Sequence, residues 1–111
     1  MTTFDPAQRL QQMAEEYRKR ADAIRRDLTS KRDADFAEQA VERQNEEVLE
    51  ALLAEAEAGL REVELARQRL AEGRYGDCRR CGEDIGAARL DALPAAELCV
   101  RCAGLGDRRT G

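Results

Sequence analysis

The chain has 111 residues, of which 38% are charged and 4% aromatic, with a net charge of −4 and no histidine. That mix cannot fill a large globular core and points to long, solvated helices. The acidic balance argues against general affinity for a nucleic-acid backbone, and no apolar run approaches the ~20 residues that span a bilayer.

The first element is a helix over about residues 5–28. Asp5 can cap it, Pro6 suits the first helical position, and Gln8 can complete a capping box. Leu10, Met13, Tyr17, Ala21, Ile24 and Leu28 recur at steps of three and four, giving one apolar stripe. Arg18, Lys19, Arg20, Arg25 and Arg26 make the exposed flank basic. At 1.5 Å per residue the helix spans roughly 36 Å.

Residues 29–35 break the apolar spacing. Thr29, Ser30, Asp33 and Asp35 favour turns and caps, so the tip of a helical hairpin is expected there. A second helix follows over about residues 36–71. Its stripe reads Val41, Val48, Leu52, Ala56, Leu60, Val63, Ala66 or Arg67, and Leu70. At roughly 54 Å it outruns the first helix, which covers about two-thirds of it from the tip. Glu42, Glu46, Glu47, Glu50, Glu55 and Glu57 make its outer face acidic, and this complements the basic first helix in an antiparallel pair. Gly59 weakens the helix by about 1 kcal/mol relative to alanine. Gly73 ends it.

All four cysteines lie beyond Gly73, as two Cys-x-x-Cys pairs, Cys78/Cys81 and Cys99/Cys102, separated by seventeen residues. Each pair turns two sulfurs toward one point, and two pairs complete a tetrahedron around Zn²⁺. Four thiolates leave no position open for water, so the expected ion is single and structural. Disulfides would require an oxidising compartment, whereas the first ten residues show no apolar signal region; a cytoplasmic setting is expected. Leu90, Leu93, Pro94 and Leu98 are the candidate apolar floor of this module, and Tyr75 is expected to pack where the helix enters it. After Cys102 a turn or two of helix is expected. The fold class is therefore mostly α: a long antiparallel helical hairpin over residues 1–72 and a four-cysteine zinc finger over residues 73–111.

Gly73, Tyr75, Gly76, Cys78, Cys81, Gly82, Ile85, Arg89, Leu90, Ala92, Pro94, Cys99 and Cys102 together resemble the zinc finger of the DksA/TraR family. Upstream, Asp35-Phe-Ala-Glu38-Gln-Ala40 is similar to that family's coiled-coil tip signature, Asp-x-x-Asp-x-Ala, and the two motifs stand in the family's register. The resemblance covers roughly residues 10 to 105. It implies a transcription regulator that binds RNA polymerase rather than DNA. The finger would sit at the mouth of the secondary channel and the hairpin would reach toward the catalytic Mg²⁺. Asp35, Glu38 and Ala40 would be the tip residues that alter promoter open complexes.

Departures from the pattern matter as well. The second tip acid is Glu38, one methylene longer than aspartate. The N-terminal region is short, and nine residues follow the last cysteine. Positions that help the family bind the alarmone ppGpp are Glu62, Leu93 and Ala103 here, none of them basic, so that response is expected to be weak or absent.

Other readings compete with these roles. Asp35 and Glu38 also form a capping box, and Ser30 or Asp33 could cap instead. Arg74, Arg79, Arg80, Arg89 and Arg101 could meet an acidic partner or neutralise the net −2 of a tetrathiolate zinc centre. A zinc-stabilised coiled-coil adaptor for another protein is the alternative function. An enzyme is not expected, because there is no open metal site and no nucleophile beside a base. The hairpin buries its own stripes, so a monomer is expected.

Overall fold

The computed structural model describes residues 4–34 and 39–108. Four helices are present among them: α1 (Pro6–Ala34), α2 (Gln39–Ala71), α3 (Ala87–Ala92) and α4 (Val100–Arg108). An isolated antiparallel bridge, Asp77 to Asp84, is the β pairing among the described residues. The chain forms two compact units, residues 13–61 and residues 1–12 with 62–111. This division does not fall at the helix–finger junction near residue 72, because the first turns of α1 and the last turns of α2 belong with the cysteine-bearing segment.

In the unit of residues 13–61, α1 and α2 pack through a heptad-like seam. Ala14, Ala21, Ile24 and Leu28 of α1 are buried and Tyr17 is half-buried between them, at alternating steps of three and four. Such a pattern keeps one face toward a partner helix. Across from it Ala56 is buried and Leu49, Leu53 and Leu60 are half-buried. Gly59 lies against Tyr17: a Cβ there would stand 2.5 Å from both Cε1 and Cζ of the ring. The glycine is therefore the recess that admits the aromatic ring, not merely a weak point in α2. Arg20 lies over the same ring at 5.3 Å from its centroid, and Arg25 joins Glu57 at 2.6 Å and Asp22 at 2.9 Å.

Three expectations are corrected here. First, α1 continues through Thr29 and Ser30 to Ala34. The polar stretch contains no glycine or proline, and an established helix propagates through such residues at little cost. The helices are thus 29 and 33 residues long, closer than expected. Second, the far stripe of α2 is one residue out of register. Val48 is 57% exposed and Leu52 45% exposed, while Leu49 and Leu53 turn inward. Successive steps of four drift by about 40° each around a helix of 3.6 residues per turn, so a run of fours leaves the seam that alternating threes and fours follow. Third, Leu93 is 51% exposed. It closes α3 as its C-cap, its N–H donating to Arg89 O, and is not one of the buried residues of the floor.

The other unit begins with the start of α1. The Gln8 N–H donates to Asp5 Oδ1 at 3.4 Å and the Arg9 N–H to Asp5 O at 3.0 Å, as a capped first turn requires. Leu10, Val63 and Ala66 are buried. At the end of α2 the Arg74 N–H reaches Arg69 O and the Gly73 N–H reaches Leu70 O, with Gly73 at φ 75°. That is the paired-bond helix stop with a left-handed glycine. It directs the chain toward the first cysteine pair.

Candidate metal centre

Each half of the cysteine site is built by local backbone geometry. In the first, the Gly82 N–H donates to Cys78 O at 2.9 Å and Gly82 adopts φ 80°, which closes a tight knuckle over Cys78–Cys81. The Cys78 N–H donates to Glu83 O and the Ile85 N–H to Gly76 O, the short ladder that holds the knuckle's two arms together. In the second half, Cys99 immediately precedes α4, and its Sγ accepts the Cys102 N–H at 3.4 Å. The cysteine thus acts as the N-cap of α4, a setting that favours its thiolate.

The two halves face each other. All four Sγ atoms lie within 4.8 Å of one another, and Cys81 and Cys99 are 3.9 Å apart at sulfur. Four sulfurs at about 2.3 Å from a tetrahedral zinc would be about 3.8 Å apart. Cys78, Cys99 and Cys102 are buried and Cys81 is exposed. Ile85 and Leu90 are buried with them, and Phe4, Tyr75, Ala96 and Leu98 pack on the cluster.

Electrostatics separate the thiols. Burial, the largest influence on Cys78, would raise it, but backbone N–H groups of Cys81, Cys99 and Arg80 outweigh that and bring it down to about 6. Cys99 is lowered, chiefly by the Cys102 N–H. Burial and then the neighbouring sulfurs push Cys102 up to about 12. With its thiol raised this far, Cys102 keeps its proton at neutral pH unless a cation compensates the charge, and metal binding there releases a proton.

Arginines and glutamates pair around the site. Glu97 pairs with Arg79 at 2.9 Å and Arg69 at 3.6 Å, and the Arg79 N–H donates to Glu97 O. Arg69, its side chain only 11% exposed, also reaches Ala96 O. Arg89 Nε donates to Leu98 O at 3.0 Å and Tyr75 Oη to Pro94 O at 2.8 Å. Arg74 pairs with Glu72. Arg101 reaches Cys81 Sγ at 3.9 Å, and its pKa is raised by that bond first and then by the charge of Cys81, Cys99 and Cys102.

Residues 73–105 match the family model of the prokaryotic DksA/TraR C4-type zinc finger, and residues 7–70 match that of the DnaK suppressor protein-like N-terminal domain. The chain belongs to the DksA/TraR family. Its four cysteines, Cys78, Cys81, Cys99 and Cys102, hold one structural zinc ion. A protein of Aquifex aeolicus is 41% identical over 66 residues, 60% of this chain and 46% of its own length. The RNA polymerase-binding transcription factor DksA of Haemophilus influenzae is 38% identical over 50 residues, 45% of this chain and 34% of its own. The chain thus matches less than half the length of these curated relatives. The solved structure of transcription factor DksA2 from Pseudomonas aeruginosa superposes with a TM-score of 0.85 at 27% identity, covering 95% of this chain and 82% of that one.

Of the expected tip residues, Asp35 and Glu38 lie outside the described residues, and Ala40 falls in the first turn of α2. No helix among the described residues is long and apolar enough to cross a membrane. Arg69 and Glu97 were not foreseen as site residues. The available signal was weak: an arginine in the last turn of a helix and a lone acid two residues before a cysteine.

Proposed function

We propose that this DksA/TraR protein regulates transcription by binding RNA polymerase through its secondary channel. The observation that supports this best is the pair of family matches, in order over residues 7–70 and 73–105, together with the likeness to DksA2 over 95% of the chain. In this reading the hairpin of residues 1–72 enters the channel, and the module of residues 73–111 stays at its mouth. Asp35, Glu38 and Ala40 act near the polymerase active site and modulate promoter open complexes. The protein works as a monomer in the cytoplasm and does not read DNA sequence itself.

The test is in vitro transcription from a ribosomal promoter, alongside capture of core polymerase with the channel open or blocked. Asp35→Asn should keep zinc content, helicity and polymerase capture, since asparagine caps about as well as aspartate, and should lose most of the effect on transcription. Full activity in that variant would refute the charged-tip role. Capture that is indifferent to a blocked channel would favour the coiled-coil adaptor instead. Because Glu62, Leu93 and Ala103 offer no positive charge, added ppGpp should change the effect little. Enhancement as strong as that seen with a long family member would overturn this part.

A further inference from the structure

The four zinc ligands are not equivalent. Three sulfurs belong to buried residues, whereas Cys81 is exposed. Cys81 also stands immediately before Gly82, whose φ of 80° turns the first knuckle back. Two donors reach it. The Glu83 N–H approaches at 3.5 Å, and Arg101 Nη2 at 3.9 Å. The backbone donor is fixed by the knuckle itself. Arg101 comes from elsewhere: it stands in the first turn of α4, between Cys99 and Cys102, and reaches across to the opposite pair. Its guanidinium thus bridges the two cysteine pairs at the exposed sulfur.

We propose that Cys81 is the corner through which the metal leaves and enters, and that Arg101 sets the rate by holding the Cys81 thiolate in place. A donor held against the sulfur occupies a lone pair that a proton or electrophile would otherwise meet, and it fixes the thiolate's orientation toward the ion. Arg101 also ties the second pair to the exposed ligand of the first, so the site opens only when that bridge is broken. Arg101 is a positioning residue and does not ligate the ion. The inference concerns metal exchange and stands whether or not the polymerase reading holds.

The experiment follows zinc transfer from the purified zinc-loaded chain to excess 4-(2-pyridylazo)resorcinol, read by absorbance. Arg101→Ala should release zinc about three- to tenfold faster than wild type, at or below the roughly 10–100-fold range for outer partners of metal ligands because the contact is exposed. Arg101→Lys should fall between them. Arg80→Ala removes an exposed charge from the same knuckle and should leave the rate within about twofold. Equal acceleration by Arg80→Ala and Arg101→Ala would reduce the effect to overall charge and overturn the proposal, as would an unchanged rate in Arg101→Ala.

A second readout is independent of release. In a short pulse of N-ethylmaleimide, trypsin places each cysteine of the wild-type chain on its own peptide, since arginines separate all four. Cys81 should be labelled first, and faster in Arg101→Lys. Labelling that begins at Cys78, Cys99 or Cys102 would refute Cys81 as the exchange corner. Should Arg101→Ala purify with less than one zinc per chain, equilibrium competition with the same chelator decides the matter: weaker retention than Arg80→Ala supports the proposal, and equal retention refutes it.

Discussion

Replacing Gly59 with alanine tests whether α1 and α2 are locked at the Tyr17 ring. In an isolated helix this change stabilises by about 1 kcal/mol. Here the new methyl would stand 2.5 Å from two ring carbons and 2.9 Å from the hydroxyl oxygen, where carbon contacts prefer about 3.5–4.0 Å. The ring must retreat by about 1 Å, and Arg20 over it limits that movement. Overpacking of this kind costs about 1–3 kcal/mol. Taking about 2 kcal/mol and subtracting the helix gain leaves Gly59→Ala destabilising by about 1 kcal/mol. In a Tyr17→Ala background the obstacle is gone, and the same substitution should stabilise by about 1 kcal/mol. The coupling in this double-mutant cycle is then about 2 kcal/mol. Urea unfolding of the zinc-loaded variants, followed by circular dichroism, measures all four corners. If Gly59→Ala stabilises both backgrounds equally, the ring does not occupy the recess and the reasoning fails.

Two further outcomes concern the metal. Removing zinc with a chelator, or replacing Cys99 with serine, should dissolve the core of Ile85 and Leu90 that packs on the sulfurs, while the seam of residues 13–61 persists; hydrogen exchange should rise across residues 76–102 and stay slow at Ala21 and Ile24. Equal loss of protection in both places would refute this. Acid should also release the metal. Cys78, lowered to about 6, favours the folded site above its ordinary thiol pKa and loses that contribution as pH falls through about 6. Protons compete with zinc for all four thiolates, so zinc content measured after dialysis should fall progressively as pH is lowered toward about 5, and a content unchanged at about pH 5 would contradict a tetrathiolate site.

The metal site was legible in the sequence because its chemistry is written in residue type and spacing, and Cys78, Cys81, Cys99 and Cys102 converge as that spacing requires. Helix α1 was legible through its capped start and regular stripe. The far half of α2 was not. Leu49, Val48, Leu52 and Leu53 lie side by side, so two stripes one residue apart read equally well until the partner helix selects one. Thr29 to Ala34 was misplaced for a related reason: loss of apolar spacing does not by itself end a helix in a stretch without glycine or proline. The role of Gly59 depends on a ring 42 positions earlier in the chain, and the short α3 has too few residues to show periodicity.

The carboxylate of Glu97 stands between two cations, Arg79 on the first knuckle and Arg69 on the last turn of α2. Each arginine therefore feels any alteration made to the other, through a shared counterion. Effects of substituting them singly will not sum to that of the pair, and an alanine scan that scored the helix end and the knuckle as independent loci would misjudge both.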